Sequence, residues 1–247
     1  MLAAVRSLRK LIAFIICAPI FVSLIGYSVS GNISFQDDYV PPALSRPLLG
    51  TIPLDRATTV NERFLGGKKI LKLPGGALYV DADMDIDADG SPRARALDPC
   101  CGQKNTAFSF PGQRGQAMFV NAEVVPYIVL PGNNRRARDR FFRRMGFEVG
   151  DIAAVIFRDK VEFALFADVG PVDKIGEGSI ALAQALGHDP FITRRGRRIV
   201  GRSIPRDVIY IVFPRSRIEG LTPQNVVGKV QEKGRQLFEA LGGRITP

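Results

Sequence analysis

The chain has 247 residues, of which 46% are hydrophobic and 23% charged, with 25 Gly and 17 Pro. This balance suits one well-buried, turn-rich domain and excludes wholesale disorder, collagen and coiled coil. A net charge of +10 makes an anionic surface the first partner to consider. Three cysteines and a single histidine, His188, argue against a disulfide scaffold, a His-rich zinc site and a histidine-based triad.

At the N-terminus, Arg6, Arg9 and Lys10 precede an uncharged apolar run from Leu11 to Val29, with small residues at Ser28 and Ser30. Residues 1–30 therefore read as an export signal or, because the run nearly spans a bilayer, as an uncleaved membrane anchor. The basic flank stays inside, so either reading exports the rest of the chain, to be secreted or periplasmic. Residues 31–70, with Pro41, Pro42, Pro47 and Pro53, read as an extended lead-in, and 71–247 as the functional domain.

Runs rich in Val, Ile and Phe predict strands over 77–87, 117–129, 151–157, 160–167 and 207–213. The two-residue break Arg158-Asp159 reads as a hairpin turn. Ser179 to Gly187 predicts a short helix with Ser179 as its cap and the glycine as its stop. A C-terminal helix is predicted over 222–242, capped by Thr222, with Pro223 in the first turn and Val227, Val230, Leu237 and Leu241 near helical spacing. Gly228 and Gly234 weaken that helix, which is expected to pack on the barrel. Many short strands with one embedded helix argue for a mainly β fold closed into a barrel.

Positive charge is concentrated in two places. Segment 135–144 holds six Arg and one Asp, and segment 194–206 holds six Arg and no acid. These Arg-rich loops are expected either to touch an anionic membrane or envelope polymer or to be solvated. Export and the lack of interleaved aromatics argue against nucleic acid.

Acidic chemistry is concentrated elsewhere. From Asp81 to Asp89 every second residue is Asp, so on a strand five carboxylates share one face, and Ala82, Met84, Ile86 and Ala88 share the other. Like charges spaced ~7 Å apart repel and call for a cation. Asp85-x-Asp87-x-Asp89-Gly90 copies the start of a calcium loop, but the position of its closing Glu is Ala96, so calcium is a secondary candidate and no cofactor is assigned. An ammonium-bearing substrate, or nearby Arg on a solvated edge strand, would serve as well.

A second constellation runs from Phe163 to Gly187. Asp168 ends a buried strand and Glu177 lies nine residues on, just before the Ser179 cap. Two carboxylates converging on a cleft can act as acid and base on a glycosidic bond. From spacing alone, turn capping and helix-dipole roles explain them equally well.

Residues 77–213 resemble the glycoside hydrolase family 75 chitosanases. The resemblance is carried in order by DMDIDADG (83–90), Gln103 with Thr106 and Phe108, VNAEVVPYIVLPG (120–132), GDIAAVIF (150–157), ADVGPVDKIGEGSIALA (167–183) and DVIYIVF (207–213). Asp-x-Gly-Pro followed by a Gly-x-Gly-Ser helix start also resembles double-psi β-barrels, which implies a closed six-stranded, double-psi-like barrel. The resemblance implies that Asp168 and Glu177 are the essential pair, with Asp85, Asp87, Gln103 and Thr106 as cleft residues. It also implies endo-acting, inverting hydrolysis of chitosan, and a monomer is expected. Fungal members tend to carry a Cys where this chain has Ala88. As a lean, burial would make Asp168 the acid and leave Glu177 as the base. The other readings are a non-catalytic envelope- or glycan-binding barrel and a peptidoglycan-cleaving barrel with a single acid. His188 reads as a turn residue and Ser179 as a helix cap, while Cys100-Cys101 gives thin support for a metal.

Overall fold

The computed structural model describes residues 39–60, 65, 68–112, 115–132, 141 and 145–245. The leader at 1–30, the first part of the lead-in and nearly all of the Arg segment 135–144 lie outside the described residues. Among the described residues no helix is long and apolar enough to cross a membrane.

The strands are β1 (Thr58–Thr59), β2 (Lys69–Lys72), β3 (Leu78–Asp87), β4 (Ser109–Pro111), β5 (Ala117–Phe119), β6 (Tyr127–Pro131), β7 (Ile152–Phe157), β8 (Lys160–Gly170), β9 (Glu177–Ser179), β10 (Phe191–Arg194), β11 (Arg197–Val200) and β12 (Ile204–Phe213). Six of them pair in the order β3-β12-β7-β8-β6-β9, and β9 pairs back onto β3. The fold is therefore mainly β with a closed six-stranded barrel, as expected. Two of its contacts, β3 with β9 and β6 with β8, are parallel, and the rest are antiparallel. Hairpins β4–β5 and β10–β11 stand apart from the ring, and β1–β2 extends it beyond β3.

Alternation explains the interior. Val80, Ala82 and Met84 of β3, Ala153 and Val155 of β7, Ala164 and Phe166 of β8, and Val208, Tyr210 and Val212 of β12 form one buried core. The intervening residues are covered as well: Ile152, Ala154, Ile156, Leu165, Ile209 and Ile211 are all fully buried. Strands buried on both faces read as near-continuous apolar runs, which is why these segments are conspicuous in the sequence.

The C-terminal helix, Val226–Ala240, packs against β7 and β8. It begins four residues later than expected because the side chains of Thr222 and Asn225 each accept from the other's backbone N–H in a preceding turn. Gly234 has a packing reason: a Cβ there would lie 2.6 Å from Phe163, whose ring also meets Phe238 edge-on at 6.0 Å. The shorter helix, Ile180–Ala185, has Ser179 as N-cap, with its hydroxyl accepting from Leu182 N.

Three further expectations change. The predicted strand 117–129 is two strands in different sheets, because Asn121 caps an intervening turn through Glu123, Val124 and Val125. The described part of the lead-in is not simply extended: Leu48, Leu49 and Ile52 are buried, and the segment bonds to the end of the C-terminal helix through Thr51 N to Gly242 O and Arg244 N to Leu48 O. β8 continues to Gly170, so Asp168 lies within the strand rather than at its end.

Candidate active site

Register assembles the site. In the parallel pair β6–β8, Asp168 faces Val129, and in β3–β9 Glu177 faces Asp85. Gly178 lies opposite Ile128 across the antiparallel β6–β9 contact, so Glu177 falls level with Val129. Asp168, Val129 and Glu177 thus form a row across three neighbouring strands, with the two acids about two strand spacings, roughly 10 Å, apart at the backbone. All three line one groove of about 460 Å³, together with Asp87, Asp89, Gln103 and Lys174.

Gly176 makes this register attainable. Its φ of +102° is glycine territory, and a Cβ there would lie 2.5 Å from Asp83 Oδ1. The bare backbone lets Gly176 O accept from Asp85 N at 3.0 Å and brings β9 against β3.

The groove's carboxyls differ in what holds them. Asp168 Oδ1 accepts two backbone N–H bonds, from Ala107 at 2.9 Å and Val169 at 2.8 Å. Burial, aided by the charge of Glu177, still pushes its pKa up to about 6 against those donors. For Glu177, burial and then the Asp87 charge raise the pKa to about 7, opposed by the Lys174 ammonium 3.3 Å away. Burial lifts Asp87 to about 6, although Asp89 N donates to its Oδ1 at 2.8 Å. Burial and the Asp87 charge lift Asp89 to about 7, although Gln103 N donates to its Oδ1 at 2.6 Å.

The Asp row is therefore not one surface with one counter-ion. Asp83 pairs with Lys68 at 2.5 Å. Asp85 meets Lys174 at 3.0 Å and the Ser203 hydroxyl at 2.6 Å. Burial opposes the Asp85 charge, but these two partners outweigh it and hold its carboxyl below the usual range. Of the row, Asp87 and Asp89 turn into the groove. Their carboxylate oxygens and that of Asp168 lie within 4.8 Å of one another, and Asp85 is not in that group, so the calcium-loop arrangement of Asp85, Asp87 and Asp89 does not form.

Of the expected cleft residues, Asp87 and Gln103 line the groove, while Asp85 stands behind Lys174. Thr106 is buried, its hydroxyl donating to Phe108 O and accepting from Val120 N. That makes it a structural pin whose one proton is already committed. His188 sits in a loop with Nε2 2.7 Å from Arg202 O. Cys100 and Cys101 are free and exposed, with Asp98 beside them. Sequence reasoning misses Lys174, since nothing in its spacing distinguishes it from a solvated turn lysine. A larger cleft of about 580 Å³ runs along Pro42–Ser45 and Ile204–Asp207. Among the described residues Asp207 is the one carboxylate lining it, so the cluster of carboxyls lies in the smaller groove.

The fold and site thus define a closed β-barrel with an acidic, carboxylate-lined groove beside β6. Residues 84–245 match the family described as fungal chitosanase of glycosyl hydrolase group 75, and the chain belongs to that family. It is 29% identical over 136 residues to proteins named endo-chitosanase from Aspergillus oryzae, including strain ATCC 42149 / RIB 40, over 53% of this chain and 54% of theirs. The chain spans about half the length of the curated relatives it matches.

Proposed function

We propose that this protein is an exported, endo-acting glycoside hydrolase that cleaves β-1,4-linked glucosamine polymer by a single, inverting displacement. The observation that carries the reading is the row Asp168–Val129–Glu177, which sets two largely buried carboxyls level with each other on either side of one strand in a shared groove. Inversion needs an acid on the leaving oxygen and a base on a water, with carboxyls about 6.5–9.5 Å apart. Side chains projecting from backbones roughly 10 Å apart can meet that span.

The surroundings favour Glu177 as the acid and Asp168 as the base, the reverse of the lean taken from strand burial alone. Two backbone donors on one oxygen favour the ionised form of Asp168 and leave its other oxygen for a water. Glu177 has the higher pKa, about 7, and keeps its proton nearer neutrality. Asp87 and Asp89 complete a groove whose negative charge suits a polymer of ammonium-bearing sugars, in keeping with the relatives' name. Export rests on the basic, then apolar, character of residues 1–30.

Release of reducing ends from chitosan tests the reading, with proton NMR of the first-formed anomer reporting inversion. Activity in the native chain, lost in Asp168→Asn and Glu177→Gln while both still melt cooperatively, supports it. No hydrolysis by the native chain overturns it.

A further inference from the structure

Lys174 lies in the turn between the two groove acids, and its Nζ reaches two carboxylates at once. It is 3.0 Å from Asp85 Oδ2 and 3.3 Å from Glu177 Oε1. Those acids face each other across the parallel β3–β9 pair, a position where like charges are destabilising without a cation between them. Asp85 is gripped from the far side as well, its Oδ1 accepting from Ser203 Oγ at 2.6 Å. The lysine is thus tethered to a fixed carboxylate and touches Glu177 through one oxygen. The other, Oε2, lies over Gly170, where a Cβ would come within 3.2 Å of it, and Gly170 lines the groove.

We infer that Ser203, Asp85 and Lys174 form a positioning chain that fixes Glu177 by its Oε1 and leaves Oε2 to face the glycosidic oxygen. The inference rests on the reading of Glu177 as the glycosidic acid. One ammonium divided between two carboxylates neutralises neither fully, so the Asp85 bond also limits how much charge Lys174 lends to Glu177. Among the described residues, the charged and titratable groups acting with Glu177 are Asp85 and Asp87 of β3, Asp89 beyond its end, Asp168 of β8, Lys174 of the turn and Tyr210 of β12. Lys174 is the cation of that set. Burial disfavours its ammonium, but Glu177 and Asp85 outweigh that and hold its pKa above the ordinary range.

Two substitutions should act in opposite directions. Lys174→Gln removes the cation, so the Glu177 titration midpoint rises by about one pH unit. Asp85→Asn removes a repelling anion and releases the whole ammonium to Glu177, so the midpoint falls by a similar amount, about one unit. Lys174→Arg, which can span both acids, restores the native midpoint. The measurement is carbon-detected NMR titration of the Glu177 carboxyl, which needs no turnover, accompanied by the alkaline limb of the chitosan pH–rate profile. Opposite shifts with rescue by Arg support the chain. Unmoved midpoints, or shifts of the same sign, overturn it even where Glu177→Gln still abolishes hydrolysis. Opposite NMR shifts in a protein that releases nothing from chitosan would keep the positioning chain and remove the glycosidase reading.

Discussion

The groove and the β10–β11 hairpin both crowd charges of one sign, with opposite consequences. In the hairpin, Arg194 stands directly across from Arg197, and Arg195 and Arg198 flank them, all exposed. The high dielectric of water weakens the repulsion between such exposed charges, salt screens it further, and Arg198 also lies over the Phe191 ring at 3.9 Å, so the crowding costs little. In the groove, Asp87, Asp89, Asp168 and Glu177 lose much of that water, and burial raises the pKa of each to about 6 or 7. Crowding of like charge is therefore a mark of chemistry where burial withholds solvent, and a weak one where solvent is free to screen it.

Disabling the groove tests that contrast most severely. Asp168→Asn or Glu177→Gln is expected to cut chitosan hydrolysis by at least about 10²-fold, measured as reducing ends. Gly176→Ala should cost roughly 2–3 kcal/mol in a denaturant melt, because a positive φ and a close approach to Asp83 are both violated, and activity should fall with it. Asp89→Asn should raise stability at pH 8 by about 1–2 kcal/mol, a few °C in Tm, with little change at pH 4. The sign follows from its raised pKa: the favourable contribution of the protonated groove is complete below the ordinary carboxyl value of 3.8 and is lost as pH climbs through about 7. A native pH–rate profile should rise through about 6 as Asp168 ionises and fall through about 7 as Glu177 does.

The hairpin should give the smallest effect. Replacing Arg194, Arg195, Arg197 and Arg198 by Gln is expected to change kcat on chitosan by less than about twofold, raising kcat/KM slightly at low salt because a cationic polymer is repelled less. If the replacement silenced hydrolysis while sparing the fold, the contrast between the two regions would be broken.

Much of this molecule is legible in one dimension. Apolar runs such as Ile152–Phe157 reveal barrel strands because both their faces are covered, and Ser179 reveals a helix start because its side chain can reach Leu182 N. Asp168 and Glu177 stand out through the motif around them. Partnership between distant segments is what a sequence hides. Nothing near Lys174 in the chain indicates Asp85 or Ser203, and Thr106 carries the same hydroxyl whether it pins a loop or meets a sugar. The break at Asn121 is concealed because an apolar stretch looks alike on both sides of a turn.

The strand that carries Glu177 is three residues long, and it is also the stave that joins β3 to β6. The ring's shortest member is thus its seam. A brief parting there would withdraw one acid while most of the hydrogen-bonded sheet endured. Warming should then silence turnover before circular dichroism registers any loss of strand, making catalysis the more sensitive gauge of whether the ring is shut.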